Sequence, residues 1–214
     1  MPGIVVIGVG PGIGRAVAAR FAKEGLPVAL IARKAETVRA AAASMAGVRT
    51  VELTADVADE LSLRAALDAA AAELGPPEAV VYNVGVVRAD EPGELTREQL
   101  LATFSANVGG VLTTAAHVAP SMRERGSGTI IVTGGMPEVK AAYTSLSIGK
   151  AGVRAAVDAL AEQHGPHGIH VASVTVAGAV EPGTAFDPDV IAEHYWWLHT
   201  QPRDAWDREV LHAG

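Results

Sequence analysis

Six short apolar runs alternate with longer stretches of helical spacing, and this rhythm limits the architectures open to the chain. The runs fall at residues 3–8, 27–32, 49–54, 79–83, 129–133 and 171–176. Each is apolar along most of its length rather than at every second position, which predicts strands covered on both faces. Helical patterns occupy residues 12–24, 36–45, 60–74, 96–125 and 144–164. This alternation predicts the α/β class: a doubly wound parallel sheet of the Rossmann type, a three-layer αβα sandwich, with ligands beyond the carboxyl ends of the strands. No linker and no solenoid repeat interrupts it, so residues 1–214 read as one domain.

Composition narrows the function classes. A net charge of −7 argues against a nucleic-acid surface. The absence of cysteine excludes disulfides, thiolate nucleophiles and cysteine-bound zinc. No apolar run reaches the roughly 18 residues of a membrane span. The first run begins too early to leave room for a cleaved leader. The expectation is a cytoplasmic protein with no membrane and no nucleic-acid partner.

Gly8-Val9-Gly10-Pro11-Gly12-Ile13-Gly14 follows the first run and opens the first helical stretch. Glycines permit a tight turn and a close approach of backbone to pyrophosphate. The helix start then offers free N–H groups to negative charge. A glycine-rich loop between strand and helix is the context that a dinucleotide site requires.

Three residues separate Gly8 from Gly12, a spacing that resembles the fingerprint of the short-chain dehydrogenase/reductase family. Further motifs resemble that family in the same order along residues 3–184. Thr54-Ala55-Asp56-Val57 is similar to its adenine-holding segment. Asn83-Val84-Gly85 is similar to the end of its Asn-Asn-Ala-Gly motif, which implies that Asn83 braces the central strands and Gly85 borders the cofactor. Asn107 matches its mid-helix asparagine, and Lys150 the lysine that binds the nicotinamide ribose. Ile7 stands where the family's glycine motif opens with threonine. At the end of the second run the chain has Ala32, Arg33 and Lys34 instead of an acid. A cationic pair suits a 2′-phosphate, and Arg15 adds charge nearby. The cofactor expectation is therefore NADP(H) over NAD(H). The alternative for Arg33 and Lys34 is a solvated helix start.

The reactive end departs from the resemblance. Aligning residues 128–135 with the family's fifth strand puts Gly135 at its serine position and Leu146 at its tyrosine position, four residues before Lys150. Tyr143 stands seven residues before Lys150, a spacing that resembles the divergent enoyl-thioester reductases. Nearly two helical turns place both side chains on one face, about 10 Å apart in rise. The resemblance implies Tyr143 as proton donor, Lys150 as the group that tunes it, and Asn107 as the holder of a relay water. An ammonium beside a phenol stabilises phenolate and eases proton exchange near neutral pH. The alternatives are packing roles for Tyr143 and Asn107. Ser147 reads as a serine of the helix surface.

The segment after residue 176 resembles the family's Pro-Gly loop, which implies that Gly178 and Thr184 hold the nicotinamide carboxamide. Asp187 or Asp189 can cap a helix beyond it. Residues 185–214 read as a short C-terminal segment that is either a substrate lid or a helix packed on the sheet, and 208–212 as a last short strand. The segment holds all three tryptophans, Trp196, Trp197 and Trp206. His164, His167 and His170 recur every three residues but read as loop histidines, so no metal is expected.

The expectation that joins these readings is an NADPH-dependent oxidoreductase. It would pass hydride to a carbonyl or activated C=C of a small organic substrate. The rival is a catalytically silent dinucleotide-binding protein, a redox sensor or assembly partner. The orientation of Tyr143 separates them. The resemblance also implies a homodimer or homotetramer built on the helices at 96–125 and 144–164.

Overall fold

The computed structural model describes residues 2–214. Its strands are β1 (Ile4–Ile7), β2 (Val28–Ala32), β3 (Thr50–Thr54), β4 (Ala79–Tyr82), β5 (Gly128–Gly135), β6 (Ile169–Val176) and β7 (Glu209–His212). Its helices are α1 (Ile13–Ala22), α2 (Ala35–Ala43), α3 (Glu60–Leu74), α4 (Arg97–Phe104), α5 (Gly110–Arg125), α6 (Thr144–His164) and α7 (Pro188–Thr200). The strands form one sheet in the order β3-β2-β1-β4-β5-β6-β7, and every neighbouring pair is parallel. β1 and β4 are buried at every position, as unbroken apolar runs require.

The strand order reverses between β1 and β4, so the chain leaves the sheet in opposite directions there. A crevice opens at their carboxyl ends. One face of the sheet packs against α3, α5 and α6, with Leu63, Val111, Met122 and Val153 in that core. The other packs against α1, α2 and α7, with Val17, Phe21, Ile191 and Tyr195. Local signals fix the helix starts. The Asp59 carboxylate accepts from the amides of Leu61 and Ser62 at the start of α3. Thr96 and Gln99 form a capping box on α4.

One expectation is corrected and one open alternative is decided. Residues 96–125 are not one regular helix, because a π turn over Ser105–Gly109 joins α4 to α5. The Tyr82 hydroxyl donates to the Ala106 carbonyl across 2.5 Å there. Gly110 makes room for the ring, because a Cβ on it would collide with Tyr82. Of the two readings of the tail, the structure has the helix packed on the sheet. Ile191, Tyr195 and Leu198 of α7 are fully buried against α1 and the sheet. Each such side chain contributes roughly 1.5–3 kcal/mol, which keeps α7 in its layer. Trp196 packs edge-on against Phe21 at 5.3 Å, and Arg20 lies 4.8 Å over the Trp196 ring. β7 fulfils the expectation of a last short strand.

Candidate functional site

The crevice has two halves joined at Asn83, Val84 and Gly85. The first, about 310 Å³, is lined by Gly8, Gly10, Ala32, Arg33, Lys34 and Val57, among others. Gly8 has φ +90°, and a side chain there would strike the Asn83 backbone. Gly14 lies so close that a Cβ would meet the Gly8 carbonyl and the Asn83 amide group. Gly10 differs, since a Cβ on it would meet no atom within 4 Å. The protein itself does not demand a glycine there, and the open space above the loop is a cradle for a ligand. α1 starts at Ile13 with no side-chain cap on its amides. Its orphan N–H groups suit an anion. Gly12 opens this turn beside Val180, and Pro11 and Arg15 line an adjoining cleft with Thr37.

Asn83 ties this loop to the sheet. Its Nδ2 donates to the Gly8 carbonyl at 2.9 Å, and its Oδ1 accepts from the Thr133 hydroxyl at 2.8 Å. The Thr133 hydroxyl also lies 2.7 Å from the Tyr195 hydroxyl. The glycine loop, β4, β5 and α7 thus share one hydrogen-bonded chain. Asp56 is not brought into the lining as expected. Its carboxylate accepts from the Ala58 amide at 3.0 Å, in a turn of its own.

The second half, about 560 Å³, contains Lys150, Tyr143, Leu146, Gly135, Gly178 and Lys140. Lys150 is 6% exposed. Its Nζ donates to the Thr133 carbonyl at 2.6 Å and the Val84 carbonyl at 3.4 Å. Burial without a carboxylate partner pushes its pKa down to about 8. A side chain on Gly135 would lie within 3.8 Å of the Lys150 stem, and Leu146 is buried on the same wall. Asn107 is fully buried in the π turn. Its Oδ1 accepts from the Val86 amide at 2.9 Å, while its Nδ2 has no partner among the described residues. A buried donor without a protein acceptor suits a water or ligand atom.

Tyr143 is half-buried and takes the N-cap position of α6, yet its side chain caps nothing. Asp90, from the loop after β4, performs that task. Its carboxylate, 4% exposed, accepts from the Ser145 amide at 3.0 Å and the Ser145 hydroxyl at 2.7 Å. Its backbone pairs on both sides of Tyr143, from the Asp90 amide to the Ala142 carbonyl at 3.1 Å and from the Thr144 amide to the Asp90 carbonyl at 3.0 Å. The Tyr143 side chain lines the crevice instead. The sequence carried no signal for Asp90, which lies 53 positions before Tyr143.

Ser147 corrects another expectation. It is 2% exposed, and its hydroxyl both accepts from the Lys140 amide at 3.1 Å and donates to the Lys140 carbonyl at 3.3 Å. Arg154 donates to the carbonyls of Gly135 and Met136. Met136 adopts φ +48°, uncommon for a residue with a Cβ. Residues 135–147 form a wall pinned from three sides.

Thr184 is not brought to the crevice. Its hydroxyl donates to the Glu181 carbonyl at 2.8 Å in an exposed turn, while Gly178 lines the cavity. Asp187 caps α7, and its bonds to the Gly183 and Asp189 amides hold its pKa below the usual carboxylate range. The three spaced histidines occupy three different elements. His164 ends α6, His167 lies in the following turn, and His170 is buried in β6 between the Leu198 and Asp207 carbonyls. His164 and His170 are therefore not loop histidines. Among the described residues no helix is long and apolar enough to cross a membrane.

Residues 3–188 match the family model for short chain dehydrogenase. D-threitol dehydrogenase of Mycolicibacterium smegmatis is 32% identical over 178 residues, 80% of this chain and 67% of that protein. Levodione reductase of Leifsonia aquatica is 27% identical over 194 residues, 87% of this chain and 70% of that protein. Among solved structures, a short-chain dehydrogenase from Rhodopseudomonas palustris is similar with a TM-score of 0.89 and 28% identity, covering 98% of this chain and 97% of that one. A metagenomic short-chain oxidoreductase in complex with NADP also reaches 0.89, at 26% identity over 98% of this chain and 96% of that one.

Proposed function

The chain belongs to the short-chain dehydrogenase family, and from that premise we propose that it is an NADPH-dependent oxidoreductase acting on a carbonyl or activated C=C of a small organic substrate. The observation that carries this reading is the shared cavity of Tyr143 and Lys150, continuous with the glycine-loop cleft. The NADP complex of the metagenomic relative supports the cofactor. Arg33 and Lys34 in the first half support the 2′-phosphate form. When bound, the cofactor supplies the hydride.

The remaining work falls to the chain. Gly8, Gly10, Gly12 and Gly14 shape the loop, and the start of α1 receives the pyrophosphate charge. Ala55 and Val57 line the adenine side. Lys150, in the cavity that Tyr143 also lines, holds the ribose. Tyr143 gives the proton to the substrate atom that develops negative charge. The unpartnered Asn107 amide orders water behind Lys150. Gly135 and Leu146 replace the serine and tyrosine of the usual arrangement, and on this reading Tyr143 takes over from the opposite end of the first helical turns.

The same two replacements favour a second reading, a silent dinucleotide-binding protein. Tyr143→Phe separates the two. For the enzyme it lowers turnover about 10²- to 10⁴-fold and leaves NADPH affinity unchanged. Equal turnover removes Tyr143 from the chemistry. Tight NADPH binding with no oxidation by any ketone, aldehyde or enoyl thioester supports the silent reading. We also propose a homo-oligomer paired through α4, α5 and α6, where Leu101, Phe104, Leu112 and Ile148 stand exposed.

A further inference from the structure

We infer that the substrate is an anion: a carbonyl or enoyl compound with an apolar body and a carboxylate or phosphate group received by Lys140. This names a substrate class for the crevice and rests on the oxidoreductase reading of it. Among the described residues lining the Lys150 half, only Lys140 and Lys150 carry charge, and both are cationic. No described aspartate or glutamate lines that half, in a chain where 24 acids outnumber 17 lysines and arginines.

Lys150 directs its ammonium to two backbone carbonyls. Lys140 stands exposed at the mouth and makes no ion pair among the described residues. Asp90 is buried on Ser145, and Glu138, two residues before Lys140, and Glu181 are exposed outside the lining and form no ion pair with it. The base of the Lys140 side chain is nevertheless fixed, since the buried Ser147 hydroxyl holds its amide and its carbonyl together. A cation on a pinned backbone meets an anion with less ordering cost than one on a free loop. Arg154, bonded to the Gly135 and Met136 carbonyls, adds positive potential to the same wall. The rest of the mouth is apolar, with Val87 and Val180 exposed and Leu146 and Met136 behind them. Such a surface repels a cationic substrate and pairs with an amphiphilic anion.

The test is a titration of isotope-labelled, NADPH-loaded protein, followed by NMR, with matched probes: hexanoate against hexanamide, and phenyl phosphate against benzyl alcohol. The expected result is anion affinity about tenfold above that of the neutral partner, the size of one charge-assisted hydrogen bond at an open site. Shifts should fall in residues 136–146. Whichever anion gains more assigns the carboxylate or the phosphate. Lys140→Gln should abolish the advantage while NADPH affinity holds. Equal affinities, no binding of either anion, or a preference that survives Lys140→Gln overturns the inference. A loss of NADPH affinity in that variant also overturns it and makes Lys140 a cofactor contact. The oxidoreductase reading fails separately: anion preference in a protein that oxidises NADPH with no substrate keeps this inference and removes that one. Turnover of a keto acid and its methyl ester with equal KM, unchanged by Lys140→Gln, does the reverse.

Discussion

Asp90→Ala should unfasten the start of α6 and move Tyr143 without disturbing the sheet. The carboxylate accepts two hydrogen bonds from Ser145, at 3.0 Å and 2.7 Å, and both residues are buried, at 4% and 2% exposure. Loss of a helix cap costs about 1 kcal/mol. The buried Ser145 hydroxyl left without its acceptor costs about 1–3 kcal/mol more. The sum is roughly 2–4 kcal/mol, partly relieved if the first turn frays and admits water. Asp90→Asn keeps one acceptor oxygen and should cost about 1 kcal/mol. Urea denaturation measures these losses. The local effect is read with 3-fluorotyrosine and fluorine NMR, since the chain has three tyrosines. Tyr82 and Tyr195 are fully buried, and Tyr143 alone is half-exposed. In Asp90→Ala the Tyr143 resonance should move and lose its response to NADPH while the other two stay fixed. A variant within about 0.5 kcal/mol of the parent, with an unmoved Tyr143 signal, would refute the capping argument.

Lys150 links stability to pH. Its ammonium titrates at about 8 when folded against 10.5 in the open chain. Below pH 8 the folded state bears the full burial cost, about 3 kcal/mol. Between pH 8 and about 9.5 the folded state loses this proton while the unfolded chain keeps it, so the ligand-free protein should gain stability there; above that, the phenols of Tyr82 and Tyr195, which burial pushes up, ionise first in the unfolded chain and oppose the gain. In Lys150→Met, urea midpoints should stay level between pH 8 and about 9. Replacing Arg33 and Lys34 by Asp and Ser should lower NADPH affinity about 10- to 100-fold and leave NADH unaffected or improved, as measured by nucleotide fluorescence. Phe104→Arg together with Ile148→Arg should shift sedimentation toward the monomer; an unchanged assembly places the interface elsewhere.

The sheet was legible because a strand buried on both faces needs uninterrupted apolar residues, and β1, β2 and β4 have them. β5 and β6 run longer than their apolar signal, since Gly128, Gly134, Gly135 and His170 carry no strand propensity of their own. Gly134 belongs in the strand because a Cβ on it would strike Thr175 of β6, a constraint visible only once the strands are paired. The π turn was hidden for a similar reason. The Gly109-Gly110 pair stands in its sequence, but the Tyr82 ring that uses the space arrives from another strand. The glycine loop and Lys150 were readable as local motifs. Asp90, Ser147 and Arg154 were not, because each acts on a backbone group at a distance along the chain. The tail was ambiguous since aromatic residues suit a lid and a packed helix equally. Tyr195, buried against Thr133, decides for packing.

A physical consequence joins the two ends of the crevice. The glycine loop presents uncapped helix amides, and Lys150 holds an ammonium in a wall without a carboxylate. Burial of a cation without an acid is costly, so the ligand-free fold carries strain that an anionic ligand relieves. An anion that neutralises this field stabilises the folded state by RT ln(1 + [L]/Kd), about 2.7 kcal/mol at a hundredfold excess over Kd. The stabilisation should be larger at pH 7, where Lys150 is charged, than at pH 9.5, where burial has removed its proton. Leu146 strengthens the effect, because an apolar side chain beside Lys150 supplies no dipole to solvate the charge. A tyrosine at that position would offer its hydroxyl to the ammonium, and the pH dependence of ligand stabilisation would shrink. Leu146→Tyr therefore tests the electrostatics apart from the chemistry. If its thermal shift with NADPH varies with pH as the parent's does, Leu146 does not set the field at Lys150.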